Sequence, residues 1–225
     1  MTTYLLSHHL GMGDHIVLNG LVRHIYEREK DNYDHFFLLC YEHNKANVMR
    51  MYQDLKIVPL PVKNDGDIVN AIRALDPTKH EDLHLNEEGL KLYNEIGDDA
   101  FFDVYGYDRE LRTQFKITYT EDQKRVAKSL VPKGKYIFVH DDEERGFKID
   151  KNRLPNLPIA TISKQTPLFD VVEVIRNAEE CHVISSSFLC WLMSDPKMNP
   201  NFITHLYVRN QYLAPYLNKY GHKTL

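Results

Sequence analysis

The sequence predicts an α/β protein built from two Rossmann-like domains, and three observations carry that prediction. Short apolar runs alternate with stretches of helical periodicity along both halves of the 225-residue chain. Two of those runs, Tyr4-Leu5-Leu6 and His182-Val183-Ile184-Ser185, lead through a turn into a helical stretch, one at Gly11-Met12-Gly13-Asp14 and the other at Ser186-Ser187. An apolar content of 43%, with 11% aromatic residues, is enough to bury a sizeable core.

Tyr4-Leu5-Leu6 reads as the first buried strand. Over residues 16–28, Val17, Leu21 and Ile25 recur every four residues with Leu18 and Val22 beside them, the pattern of a helix with one buried face. Phe36-Phe37-Leu38-Leu39-Cys40 gives a second strand, and residues 45–55, with Val48, Met51, Tyr52 and Leu55, a second helix. Ile57-Val58-Pro59-Leu60 is a third strand, placed at a sheet edge by a proline that has no N–H to give a neighbour. The middle of the chain predicts a helix over 67–75, a short strand at Asp82-Leu83-His84-Leu85 and an aromatic-rich segment over 93–115.

The domain boundary is expected between Thr118 and Lys135 and is drawn to give domains 1–122 and 123–225. After a turn at Pro132-Lys133-Gly134, Tyr136-Ile137-Phe138-Val139-His140 is a buried strand that ends in a charged loop over 141–146. A short strand at Thr161-Ile162-Ser163 follows, then a helix over 167–178 with Pro167 suited to its first turn. His182-Val183-Ile184-Ser185 is a strand, 188–193 a helix and 202–208 a last strand. No internal repeat or low-complexity tract is visible.

Charge and composition narrow the function. A formal charge of -4 and a pI near 6.3 give no net attraction to nucleic acid or to anionic lipid, so neither is expected as a partner. Cys40, Cys181 and Cys190 lack the short spacings of zinc or redox motifs and read as buried thiols of a reducing compartment. No segment approaches the ~18 apolar residues that span a bilayer. The N-terminus carries no basic, apolar leader, so a cytoplasmic location is expected.

Ligands of open α/β sheets bind beyond the carboxyl ends of the strands, where loops feed helix N-termini whose free N–H groups favour anions. Three loops stand out. In Gly11-Met12-Gly13-Asp14-His15, the glycines allow close approach of a ligand and Asp14 starts a helix, where it can equally act as an ordinary cap. Its spacing is not that of a dinucleotide-binding motif. His8, His9 and His15 lie in the same short stretch, and each can be a general base, a phosphate contact or a satisfied structural histidine.

In the second loop, Asp141-Asp142-Glu143-Glu144-Arg145-Gly146-Phe147-Lys148, the acidic pair could hold a divalent metal beside a diphosphate, or the run could be a solvated face. Arg145 and Lys148 are the better ligand contacts, because a cation can grip phosphate oxygens; salt bridges to their acidic neighbours are the alternative. The third loop, Ser185-Ser186-Ser187, offers hydroxyl and N–H groups as a neutral cradle for phosphate.

The opening Gly11-Met12-Gly13-Asp14-His15-Ile16-Val17-Leu18-Asn19-Gly20-Leu21 resembles the first loop and helix of the heptosyltransferase-like glycosyltransferases, where a glycine-Asp pair begins the helix. The segment Val183-Ile184-Ser185-Ser186-Ser187-Phe188-Leu189-Cys190-Trp191 is similar to the serine-Phe-Trp motif of the α-1,2-fucosyltransferases. Both groups have the GT-B arrangement of two Rossmann-like domains facing a cleft. The resemblance implies a metal-independent transferase without a bound cofactor, whose partners are a nucleotide-diphosphate sugar and a carbohydrate acceptor.

By position, the resemblance makes Asp14 the general base, with His15 beside it in the catalytic loop, and assigns Gly13, His140, Arg145, Lys148, Ser185, Ser186 and Ser187 to the donor and its phosphates. The sequence departs from the families in two places. The His-x-Arg-like element is stretched to His140 and Arg145, and serine replaces the acid usual in the C-terminal loop. Two other readings stay open: a nucleotide- or sugar-binding module without chemistry, and a metal-dependent transferase using Asp141 and Asp142.

Overall fold

Buried parallel strands organise both halves of the chain. The computed structural model describes every residue except Thr161 and Lys164, and of Tyr212 only the backbone. The chain divides into two compact units, Met1–Thr118 and Tyr119–Leu225. Each is an α/β unit around a four-stranded parallel sheet, as expected of a Rossmann-like pair.

In the first unit the chain runs β1 (Thr3–Ser7), α1 (Met12–Val17), α2 (Asn19–Glu29), β2 (His35–Tyr41), α3 (Lys45–Met51), β3 (Ile57–Val62), α4 (Ile68–Leu75), β4 (Lys79–Asp82), α5 (Glu87–Ile96) and α6 (Asp99–Tyr105). The strand order is β3-β2-β1-β4. Central β1 is buried on both faces, with Tyr4, Leu5 and Leu6 fully enclosed, which is why it reads as an unbroken apolar run. As expected, β3 lies at an edge, with Pro59 and Pro61 in it.

Three expectations for this unit need correction. The helix over 16–28 is two helices that meet at Leu18, and the first begins earlier, so that Gly13 lies in its first turn and not in a loop. The helix over 45–55 stops at Met51 and closes in a turn where the Leu55 N–H donates to the Tyr52 carbonyl. The strand expected at 82–85 is Lys79–Asp82 instead. Leu83 and Leu85 are buried in the turn beyond it, so their apolarity marks burial without strand pairing.

Gly20 has a packing reason. A Cβ there would lie 2.1 Å from the Leu111 carbonyl oxygen, so only glycine lets the 3₁₀ turn Arg109–Thr113 lie against α2.

The second unit runs α7 (Glu121–Ser129), β5 (Phe138–His140), α8 (Val172–Arg176), β6 (Cys181–Val183), α9 (Ser187–Ser194), β7 (Phe202–Thr204), α10 (Ala214–Lys219) and β8 (Lys223–Thr224), with strand order β5-β6-β7-β8. The border drawn at 122 falls inside α7. That helix is started by a capping box in which Gln123 N–H donates to Thr120 Oγ1 (3.2 Å) and Thr120 N–H donates to Gln123 Oε1 (2.9 Å).

Trp191 is fully buried and meets Phe169 edge-to-face at 5.0 Å, forming the core beneath α9. The strand expected over 202–208 ends at Thr204. In the segment expected as a strand over 161–163, Thr161 lies outside the described residues and Ile162 and Ser163 belong to no strand. Pro167 stands just before a 3₁₀ turn (Leu168–Val171), outside its first turn. No helix among the described residues is long and apolar enough to cross a membrane.

Candidate functional site

Beyond β1 the chain passes through His8, His9 and Leu10 to Gly11, the N-cap of α1, whose extended backbone (φ -63°, ψ 146°) turns the chain into the helix. The Asp14 carboxylate curls back over Gly11, so closely that a Cβ on residue 11 would lie 2.5 Å from its Oδ2. Burial, and next the negative charge of Asp98, push the Asp14 carboxyl up to about 7. Hydrogen bonds from the backbone of Asp14 and Gly11 and the charge of His84 act in the opposite direction.

The three expected histidines occupy different environments. His8 and His15 are fully buried and meet edge-to-face at 4.4 Å. His8 donates from Nδ1 to the His9 carbonyl at 2.5 Å, and burial lowers its pKa to about 4. Burial likewise holds His15 well below the usual imidazole range, and neither of its ring nitrogens has a hydrogen-bond partner among the described residues. His15 is therefore a neutral ring beneath the loop. His9 accepts a hydrogen bond at Nε2 from the Leu85 N–H (3.1 Å), and its ring lies 5.0 Å from that of His84.

Asp82 and His84, which the sequence reading placed in a strand and gave no role, complete this site. Asp82 ends β4 opposite Ser7 on β1. Its Oδ1 accepts from Ser7 Oγ (2.9 Å), from the His84 N–H (3.2 Å) and from His84 Nδ1 (2.5 Å). His80 Nε2 lies 2.8 Å from Ser7 Oγ, and Tyr105 donates its hydroxyl to the His84 carbonyl at 2.5 Å. The available signal was the short Asp-x-His spacing; what it lacked was the pairing of β4 with β1.

In the second unit a pocket of about 590 Å³ opens at the carboxyl end of β5. Phe138, Ile159, Leu168 and Phe188 supply apolar walls, and Asp141, Asp142, Glu143 and Glu144 also line it. His140 lines it as well; its ring is 4.2 Å from Phe188, and burial lowers its pKa to about 4, so it is neutral at pH 7.

Of the expected phosphate contacts, Arg145 donates from Nε to Asp142 Oδ2 (2.5 Å) and Lys148 pairs with Glu143 (3.0 Å); neither lines the pocket. Ser185 Oγ accepts from Asn210 (2.9 Å), Ser186 is the N-cap of α9 and Ser187 its first residue. The Ser186 hydroxyl is buried without a partner among the described residues. The structure thus divides the expected site residues into a cluster around Asp14 in one unit and a pocket with its flanking loops in the other. Among the described residues no group of three or more ligating side chains is placed to hold a metal ion. No protein-family model, curated protein or solved structure matches the chain.

Proposed function

We propose that this chain is a glycosyltransferase of the GT-B type, moving a sugar from a nucleotide-diphosphate donor to a hydroxyl of a carbohydrate acceptor, with Asp14 as general base. The observation that carries this reading is the Asp14 carboxyl. It stands past the carboxyl end of a central parallel strand, where such folds bind ligands, and its pKa of about 7 suits proton removal near neutral pH. Asp14 takes the proton of the acceptor hydroxyl, and the oxygen attacks the anomeric carbon. The bond from that carbon to the diphosphate then breaks, and its electron pair leaves with the diphosphate.

The pocket of the second unit has the size and apolar walls of a small-molecule site and suits the nucleoside end of the donor. The N–H groups around Ser185, Ser186 and Ser187 at the start of α9 suit the diphosphate, while Arg145 and Lys148 stay paired with Asp142 and Glu143. The metal-free route is favoured over a metal held by Asp141 and Asp142, because Asp142 is engaged by Arg145 and Asp141 accepts from the Ile149 N–H (3.3 Å).

Thermal-shift measurements against a panel of nucleotide-diphosphate sugars, with and without manganese, test the reading. A true donor at about 100 times its Kd stabilises the fold by roughly 2.7 kcal/mol. Asp14→Asn is expected to lower turnover by about 100-fold or more while leaving the donor shift in place. No shift from any nucleotide defeats the proposal, and a shift without transfer makes the protein a binding module instead.

A further inference from the structure

We propose that Arg209, which no motif of the sequence marks, supplies the positive charge that holds the phosphate-bearing end of the second unit's ligand. The inference rests on the transferase reading for the identity of that ligand, and it gives the diphosphate a cation that Arg145 and Lys148 do not offer.

The parallel sheet decides where Arg209 lies. Strands β5, β6 and β7 are neighbours running the same way, so the loops that follow them gather at one end, where ligands of such sheets bind. Arg209 belongs to the loop after β7. Contacts tie that loop to both of the others. The Arg209 guanidinium lies over the Phe147 ring, 5.0 Å from its centroid. Phe147 exchanges two backbone hydrogen bonds with Asp142 (2.7 and 2.9 Å), and Asp142 lines the pocket. On the other side, Asn210 donates from Nδ2 to Ser185 Oγ at 2.9 Å, and Ser185 stands directly before the N-cap of α9. Arg209 thus touches the rim of the pocket and is one residue from a contact with the start of α9.

The loop is held in place. The N–H groups of Leu206 and Tyr207 donate to the Leu225 carbonyl (2.9 and 3.3 Å), and the Val208 N–H donates to the His205 carbonyl (3.2 Å). Asn210 takes the left-handed conformation (φ 61°), which Asn tolerates better than most residues.

The charge of Arg209 is unmatched. Arg145 also lies over Phe147, at 5.9 Å, but it is paired with Asp142, and Lys148 is paired with Glu143. Arg209 has no carboxylate partner and donates no hydrogen bond among the described residues. It is half-buried, so its guanidinium has given up part of its water without receiving a counter-charge. The ring beneath it leaves the N–H fork free to grip phosphate oxygens bidentately.

The test measures equilibrium binding to the full chain by calorimetry, with ADP, CDP, GDP, UDP, their parent nucleosides and inorganic pyrophosphate as probes. Arg209→Gln is expected to weaken the best-bound diphosphate about fivefold, the scale of a charge pair that is only partly buried, and to leave its nucleoside unchanged. Arg125→Ala, which removes the same charge from the exposed face of α7, is expected to change neither. Diphosphate affinity that Arg209→Gln leaves within about twofold, or an equal loss for the nucleoside, overturns the role of Arg209 and leaves the transferase reading standing. Pyrophosphate binding that needs Arg209, in a chain that binds no nucleotide more tightly, overturns the transferase reading and leaves Arg209 as an anion-binding residue. A wild-type chain that binds none of these probes overturns both. If Arg209→Gln fails to fold, the Nε–H signal of Arg209 in wild-type spectra decides the matter: movement on adding pyrophosphate supports the role and a fixed signal overturns it.

Discussion

Acidification is expected to weaken the second unit through a chain of hydrogen bonds across β6 and β7 whose middle link, between His205 and His182, is buried. The Asp150 N–H donates to the Tyr207 hydroxyl (3.0 Å), and that hydroxyl donates to His205 Nδ1 (3.2 Å). His205 Nε2–H then donates to His182 Nδ1 (3.0 Å), and His182 Nε2–H to Glu180 (3.2 Å). Each ring nitrogen is committed, both imidazoles are neutral, and a further proton on either must break a bond. His205 and His182 are 0% and 1% exposed. Burial, followed by the charges of His182 and Arg153, lowers His205 from 6.5 to about 4, a differential of about 3 kcal/mol between its protonation states.

Because folding lowers this pKa, the unfolded chain takes up the proton first. The stabilisation is complete above pH 6.5, falls as the pH drops and is exhausted near pH 4. Urea titrations at steps between pH 7 and pH 4, followed by fluorescence, read this unit directly, since Trp191 is the single tryptophan and is fully buried there. His205→Gln is expected to lower absolute stability at pH 7 and to reduce the pH slope by up to about 1.4 kcal/mol per pH unit, the effect of one proton. An identical slope in variant and wild type refutes the reasoning.

Gly20→Ala is expected to destabilise the first unit by about 1–3 kcal/mol, because the new Cβ meets the Leu111 carbonyl and not a side chain that can swing away; an unchanged melting temperature counts against that packing. Asp14→Asn is expected to stabilise the protein above pH 7 by about 1–3 kcal/mol. Folding raises the Asp14 pKa to about 7, so the folded state suffers when the pH rises through that value, and the gain should fade toward pH 4; denaturant midpoints at pH 8 and pH 4 check it. Arg145→Ala is expected to change stability by under about 1 kcal/mol, since the Arg145–Asp142 pair is exposed on the Arg145 side, and calorimetric melting reads the effect.

The strands of the first unit's centre were legible because apolar residues dominate them: β1 and β2 stand out as apolar runs, and β5 and β6 lie within the apolar runs over 136–140 and 182–185. The edge strand β4 was not, because Lys-His-Glu-Asp is satisfied by ion pairs, Lys79 with Glu29 (3.3 Å) and Glu81 with Arg28 (3.1 Å), instead of by apolar burial. Helix α7 was missed for a related reason: its single buried residue is Ala127, and Val126 is exposed, so only its capping box announces it. Asp14 could be found from its glycine flank. Asp82 and His84 offered only their short Asp-x-His spacing, because what brings them to the site is contact with distant residues, Ser7 to Asp82 across 75 positions and the Leu85 N–H to His9, which depends on strand register.

On the transferase reading, the charge of the second unit's pocket determines which end of the donor it takes. Four carboxylates among its lining residues repel a diphosphate; each pair of like charges 4 Å apart opposes binding by about 1 kcal/mol in water and about 4 kcal/mol near a protein surface. The nearby cations do not relieve this, since Arg145 and Lys148 are already paired with Asp142 and Glu143. Carboxylates and aromatic rings instead suit the hydroxyls and flat base of a nucleoside, with Phe188 and the neutral His140 as the wall. The diphosphate then belongs outside the pocket, toward the start of α9, where the Ser186 hydroxyl has no partner among the described residues. A nucleoside lacking phosphate should therefore compete for the pocket within about tenfold of its diphosphate, a gap of about 1.4 kcal/mol. Competition that requires the diphosphate by a factor of a thousand would instead place the phosphates in the acidic pocket and demand that Arg145 abandon Asp142 to meet them.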